Sequence, residues 1–336
     1  MKLAIVTAAT KNYLHAFDAC VRSVATAGSH HPNAHYIFVT DESDEGKKAF
    51  ERLKREIPRG WEASMLALPI PEDEKSYDVG PQLRIAALQG AGFAFARNRV
   101  RADRCLSVES DNIIPANALR VLEWTLEMPT DDGTPFYDIA AATYPNGMFL
   151  GGFGSPSSQI NEDFLPHERK LKPRLKLCYD ACRARLSLGG SPKEDNRFKR
   201  LHEKVKNSPP DGTLWEVINK HGWRRRGWLE SAYPGIGLGA TVPSDWCGLG
   251  CTLLSKRALA LADFCGYEGK GTQDLFLCWE RWHPAGLRIA CSTHVACDHV
   301  KKTPEGIVHH VAYHERQGET RGHLRTKRIP WHYGAA

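Results

Sequence analysis

The chain has 336 residues, of which 42% are apolar and 25% charged, with a formal net charge of +6. That is enough apolar material for a real core, in one large α/β domain or two small ones, whereas no apolar run approaches the roughly 20 residues of a membrane span. Leu3 to Val6 is also too short for a signal-peptide core, so the expected address is cytoplasmic. The ten cysteines follow no secreted disulfide framework and are expected to be reduced and mostly buried. Charge is unevenly spread: Asn161 to Trp228 holds 17 Lys or Arg against 9 Asp or Glu, and Lys301 to Arg328 holds 7 against 3, leaving the remainder acidic. Such asymmetry fits either a polyanionic partner or a solvated face.

In chain order, Leu3 to Val6 reads as a buried parallel strand, followed by the small-residue turn Thr7 to Thr10 and a helix around Phe17 to Ala25. Tyr36 to Val39 is the next strand and ends in Thr40-Asp41-Glu42-Ser43. Strand, helix and strand at this length imply a right-handed crossover with parallel pairing. Asp41 then stands at a strand end, where it serves either a ligand or the N-cap of the next helix. Met65 to Ile70 is a third strand, and Pro81 to Asn98 a helix that carries Arg84 and closes on Arg97. Cys105 to Val108 is a short buried strand that delivers Glu109 and Asp111 to its tip. Two residues apart, these acids project the same way and can share one hard cation or its water shell.

Ala118 to Met128 reads as a helix and Ile139 to Tyr144 as a strand. The glycines of Gly147 to Ser158 and Gly235 to Gly239 match no phosphate-binding fingerprint, and the polar helical runs between them read as a basic insertion over residues 155–235. Further on, Asp245 to Ser255 leads into a helix from Lys256. Thr272 is a natural N-cap that places Asp274 in a first helical turn, where the helix dipole favours a carboxylate. Leu275, Cys278, Trp279 and Trp282 form the core stripe of that helix, and Pro284 ends it. Leu287 to Ala290 is the last strand, followed by a stretch containing Cys291, His294, Cys297 and His299. Those residue types suit zinc, although their spacing matches no common zinc module.

The run Ala96-Arg97-Asn98, a hydrophobic strand, then Glu109-Ser110-Asp111-Asn112 and Pro115 resembles the ARN and DXD region of family 2 glycosyltransferases of the GT-A fold. VTDES at residues 39–43 looks like the family's nucleotide-binding strand end, and Gln273-Asp274-Leu275 resembles its GEDLxL segment. The resemblance covers roughly residues 1–300 apart from the insertion, with 301–336 as a basic C-terminal extension. It implies an α/β fold with a mostly parallel, helix-flanked sheet, and transfer of a sugar from a nucleotide donor, UDP-linked by expectation, with Mn2+ or Mg2+. Carried over residue by residue, it places Asp111 and His299 on the metal and makes Asp274 the catalytic base of an inverting reaction. Thr7, Ala8, Asp41, Arg84, Arg97, Asn98, Glu109 and Ser110 then belong to the donor site, with Trp246 and Gly248 on the acceptor side. Two departures matter: Glu109 stands where the family has Asp, and Gln273 where it has Glu.

The acceptor has to be read from charge. Arg224, Arg225 and Arg226 lie among Trp215, Trp223 and Trp228, a combination of cations and stacking surfaces used for nucleic acid. The expected acceptor is therefore a hydroxylated base in DNA, such as 5-hydroxymethylcytosine. Its rivals are a cell-surface glycan or lipid-linked acceptor, and a protein that binds nucleic acid without catalysis. A nucleotidyltransferase is disfavoured because Thr7 to Thr10 lacks the basic phosphate loop that chemistry uses.

Overall fold

The computed structural model describes residues 1–70, 80–129, 133, 135–144, 241–244, 247–269, 272–303, 306–317 and 321–330. The basic stretch 155–235, with Arg224, Arg225 and Arg226, and also Trp246, lies outside the described residues.

Strand β1 (Leu3–Ala8) is buried along its whole length, as an apolar run covered on both faces must be. Helix α1 (Phe17–Ala27) leads to β2 (His35–Asp41), and α2 (Asp44–Glu56) leads to β3 (Glu62–Leu68). The cap of α2 is Ser43, whose hydroxyl accepts from the Gly46 amide at 3.1 Å, so the capping role open to Asp41 goes to its neighbour. Asp44 and Glu45 in the first turn of α2 and Lys54 and Arg55 in the last complement its dipole. Helix α3 (Gly80–Phe95) passes into a wider π-helical turn at Ala96–Val100. Its glycines are explained by close approach: a Cβ on Gly92 would lie 2.5 Å from Val6 of β1, so a side chain there would push the helix off the sheet.

β4 (Arg104–Val108), β5 (Asn112–Ile113), α4 (Ala118–Glu127), β6 (Ile139–Thr143), β7 (Thr241–Ser244) and β8 (Cys251–Ser255) follow. Then come α5 (Lys256–Ala260), α6 (Gln273–Phe276) with its π-helical continuation Leu277–Trp282, β9 (Ile289–Ala296), β10 (Asp298–Thr303), β11 (Gly306–Gln317) and β12 (Arg321–Pro330). The eight-stranded sheet has the order β3-β2-β1-β4-β8-β6-β9-β7. β1 to β4 run parallel, β8 runs against both β4 and β6, β9 is parallel to β6, and β7 is antiparallel to β9. α1, α2 and α4 cover one face over Phe17, Phe38, Leu53 and Leu122, while α3, α5 and the α6 segment cover the other over Val6, Phe93, Leu254 and Trp282. This is the mixed α/β class, with a mostly parallel sheet flanked by helices, that the sequence leads one to expect. A second sheet, β12-β11-β10-β5, is antiparallel, and its β10 spans residues 298–303. Among the described residues no helix is long and apolar enough to cross a membrane.

Several boundaries move because pairing overrides local composition. β3 starts three residues before Met65 because Glu62 pairs with His35 of β2. β9 continues past Ala290 because β6 and β7 hold it on both sides, carrying the polar Ser292 with it. The π turn at Leu277 shifts the helical phase, burying Leu277 with Cys278 and Trp282 and leaving Leu275 and Trp279 half-buried.

Candidate active site

Because β1, β2, β4 and β6 run the same way, their carboxyl ends meet along one edge of the sheet, where open α/β folds bind ligands. Beyond Val108 the chain turns sharply: the Glu109 amide donates to the Gly250 carbonyl at 2.9 Å and the Asn112 amide to the Glu109 carbonyl at 3.1 Å. Residue Asn112 then pairs with His299 across β5 and β10, and the Val300 amide donates to the Asp111 carbonyl at 2.8 Å. These backbone ties bring His299 Nε2 to 3.2 Å from Asp111 Oδ2, although 188 residues separate them.

Burial, and next the charges of Asp111 and Asp274, push the Glu109 carboxyl up to about 8, with Lys301 acting in the opposite sense. Lys301 is itself lowered by burial, against the pull of Asp111 and Glu109. Asp111 and Asp274 thus bear on a third carboxyl, which they and burial keep protonated to near pH 8, with Lys301 opposing them. The stability consequence has a definite sign. Glu109 binds its proton more tightly in the folded chain, so its contribution is full below pH 4.5 and is lost as pH rises towards about 8. The ion-free chain should therefore lose thermal stability across that window more steeply than Glu109→Gln, and parallel pH profiles of the two unfolding temperatures test it.

The third wall comes from Tyr144, just past β6. Its ring meets His299 edge-on with centroids 5.8 Å apart. Burial, then Glu109 and Asp274, holds its phenol well above the usual range, so it remains a neutral donor beside two acids. Gly248 and Gly250 make room for it: a Cβ on Gly250 would come within 2.8 Å of the ring, and one on Gly248 would overlap the hydroxyl while lying 3.4 Å from Asp274 Oδ2. Gly248 is thus buried backing for Tyr144. Gly248→Ala is expected to cost about 1–3 kcal/mol through overpacking. Tyr144→Phe in the same chain should recover most of that loss, and a double-mutant cycle in denaturant checks it.

The cleft encloses about 260 Å³ and is lined by Ala8, Ala9, Thr10, Asn12, Tyr13, Gln82, Arg84, Ile85, Leu88, Glu109, Ser110, Asp111 and Gln273. Ala8, Arg84, Glu109, Ser110 and Asp111, of the residues singled out by sequence, thus line one cleft. Asp274 lies beside Gln273 in the first turn of α6, with Oδ1 accepting from the Leu275 amide at 3.2 Å. Thr272 occupies the N-cap position, but its hydroxyl makes no capping bond. The Ser110 hydroxyl is committed to the Tyr13 carbonyl at 2.9 Å, which ties the acid turn to the short 3-10 turn Lys11–Tyr13. Asp41 serves the same turn, since its Oδ2 accepts from the Lys11 amide at 3.1 Å.

Other expected donor residues stand elsewhere. The buried Thr7 hydroxyl pairs with the Tyr36 hydroxyl at 2.9 Å inside the core. Arg97 and Asn98 lie at the far end of α3, and thirteen residues at ~1.5 Å each put Arg97 about 20 Å along the helix from Arg84. There Arg97 reaches the Leu259 and Ala260 carbonyls at 3.4 and 3.2 Å, capping α5. Asn98 lies in a shallow groove beside β3 with Phe95 and Arg99. The zinc alternative also separates in space: Cys291 and Cys297 are buried in the core, His294 is exposed against Trp124, and His299 pairs with Asp111. Asn12, Tyr13, Gln82, Tyr144 and Lys301 were not singled out by sequence, because a polar residue after a strand looks the same whether or not it faces a ligand. Gln273 was noticed only as a departure from a motif.

Asp111 Oδ2 and His299 Nε2 suit an octahedral cation, since ligands at right angles with bonds of ~2.1 Å lie ~3 Å apart. Among the described residues, the one group of three His, Cys, Asp or Glu donors within 4.8 Å of each other is elsewhere, at His30, His31 and Glu123. The cleft thus offers a pair of protein ligands, which fits Mg2+ or Mn2+ completed by water and substrate phosphates. The carboxylate charge that Asp111 and Asp274 bring to bear on Glu109 is what such an ion would neutralise.

No family model and no curated relative matches the sequence. Among solved structures the chain is similar to A197 from STIV, with a TM-score of 0.40 and 9% identity over 91% of this chain and 92% of that one. It is also similar to S. aureus TarS 1-349 in complex with UDP, with a TM-score of 0.30 and 15% identity over 48% of this chain and 43% of that one. Glucosyl-3-phosphoglycerate synthase from Mycobacterium tuberculosis scores 0.28 at 14% identity, over 44% of this chain and 45% of that one. The match thus spans less than half the length of those last two proteins. At scores this low, function has to be read from the cleft itself.

Proposed function

We propose that the chain is a GT-A-type glycosyltransferase that moves a sugar from a nucleotide donor, UDP-linked by preference, to an acceptor hydroxyl with inversion. The observation that carries this reading is a cleft lined by Asp111, Glu109 and Arg84, with His299 3.2 Å from Asp111 and Asp274 next to the lining residue Gln273. In that cleft the nucleobase stacks at the rim on Tyr13, whose ring is 55% exposed, over the turn that Asp41 and Ser110 hold. Arg84 and the amino-terminal turn of α3 face the diphosphate, where a cation and a helix dipole favour negative charge. Asp111 and His299 would hold Mn2+ or Mg2+, which would supply charge neutralisation for the departing diphosphate. The acceptor oxygen bonds to the anomeric carbon as the bond from that carbon to the diphosphate oxygen breaks, and the electron pair leaves with the diphosphate. Asp274 takes the acceptor proton, and the neutral Tyr144 hydroxyl orients the oxygen beside it.

For the acceptor we propose a hydroxymethylated base in DNA, with residues 155–235 as the insertion that grips the backbone within a catalytic domain over 1–300. Support comes from charge: Asn161 to Trp228 is strongly basic, and the basic residues 301–328 fold into β10, β11 and β12. Incubating the protein with hydroxymethylated DNA, a free glycan and a panel of nucleotide sugars decides between acceptors. Mass spectrometry of the digested nucleosides should show an added hexose or pentose. Sugar found only on the glycan overturns the DNA acceptor and leaves sugar transfer standing.

A further inference from the structure

At the opposite edge of the sheet from the cleft, where β2 and β4 begin, His30 and His31 in the turn after α1 meet Glu123 of α4. His30 Nε2 lies 3.0 Å from Glu123 Oε2 and His31 Nε2 lies 2.8 Å from Glu123 Oε1, with the two imidazole rings 4.3 Å apart. We propose that these residues form a second metal site, of zinc type, that clips the α1–β2 turn to α4. One donor atom from each residue lies within 4.8 Å of the others, near enough for a small ion to draw the three together.

A plain ion pair accounts less well for the geometry. His31 Nε2 and Glu123 Oε1 are both sealed from solvent, and despite their short separation neither has a hydrogen-bond partner. Buried polar atoms in native proteins are nearly always satisfied, so two such atoms side by side leave lone pairs for an ion that lies off the line joining them. Arg104 is the charged neighbour: its Nη1 stands 3.4 Å from Glu123 Oε1, and its Nη2 is drawn to Glu127 Oε1 at 2.7 Å, whose charge offsets it. Two imidazoles with one carboxylate suit a borderline-soft divalent ion, whereas the cleft offers one imidazole with its carboxylate, a set that Mn2+ or Mg2+ completes with water and phosphate oxygens. The frame is built before any ion arrives. The His31 amide donates to Gly28 at 2.9 Å and the Trp61 indole donates to the His31 carbonyl at 2.6 Å, fixing the turn that presents both rings. His30 is 22% exposed at its side chain, which leaves a path for the ion and for a water as fourth ligand.

The full chain, stripped of metal with a chelator, should be titrated with Zn2+ by calorimetry and its thermal unfolding followed in parallel. Co2+ in place of Zn2+ should give the visible absorption of a four-coordinate ion. The expected result is one Zn2+ equivalent with a rise in unfolding temperature. His30→Gln and His31→Gln should weaken that equivalent by more than the roughly 10- to 100-fold that loss of an outer-shell partner costs. Asp111→Asn should retain it. Glu123→Gln also disturbs Arg104, so for every variant the readout is the zinc-induced shift relative to the same chain without zinc. Binding and thermal shift unchanged in both histidine variants, or a parent chain that binds Zn2+ no better than Mg2+, overturns the proposal.

Discussion

Asp111→Asn is expected to remove metal-dependent turnover, a loss on the order of 10³-fold or more, while the chain stays folded. An amide keeps the size of the side chain but not its charge, so it is a poorer ligand and offsets less of the cation. Electrostatic stabilisation of a leaving diphosphate amounts to several kcal/mol, and each ~1.4 kcal/mol is a factor of ten in rate. The fold should survive because Asp111 ties into the sheet through its carbonyl, which accepts from Val300, and not through its carboxylate. Glu109→Gln should be milder, since Glu109 faces Asp111 without standing next to His299. Turnover measured against Mn2+ concentration checks both. Near-normal activity in Asp111→Asn removes that residue from the metal role.

Asp274→Asn should lower turnover by roughly 10²- to 10⁴-fold with donor binding nearly intact, the range for losing a positioned proton acceptor. The structure gives this residue firm support. Its Oδ1 accepts from the Leu275 amide, while its Oδ2 lies on the side of Gly248 and Tyr144. Steady-state kinetics paired with donor-binding titrations distinguish the roles. A weaker donor affinity with unchanged turnover makes Asp274 a binding residue, and a product of retained anomeric configuration contradicts base catalysis.

Much of this was legible in the sequence because apolar runs fix buried strands. Leu3 to Val6, Tyr36 to Val39 and Cys105 to Val108 each became a strand of the large sheet, and Glu109 and Asp111 at the tip of the third line the cleft. The pairing of Asp111 with His299 was legible only through a resemblance, since no local rule connects residues 188 positions apart. The run Ala96-Arg97-Asn98 ends the helix as its sequence suggests, while the residues of that helix that line the cleft, Gln82 and Arg84, stand at its other end, a separation that a motif does not display. Tyr144 left no periodic signal, and its importance follows from Gly248 and Gly250, two glycines whose missing side chains matter only once β6 and β8 are paired. The π turn at Leu277 was likewise hidden, because the stripe Leu275, Cys278, Trp279 and Trp282 fits an α-helix well.

The central claim is that this cleft breaks the bond between a sugar and a nucleoside diphosphate with the help of a divalent ion. Nucleoside diphosphate release from a panel of nucleotide sugars, measured with Mn2+ and again with excess chelator, tests it most directly. The account predicts release from at least one donor, abolished by chelator and by Asp111→Asn. Equal release with and without the ion, or none from any donor by a folded chain that still binds DNA, contradicts it and leaves a protein that binds nucleic acid without this chemistry.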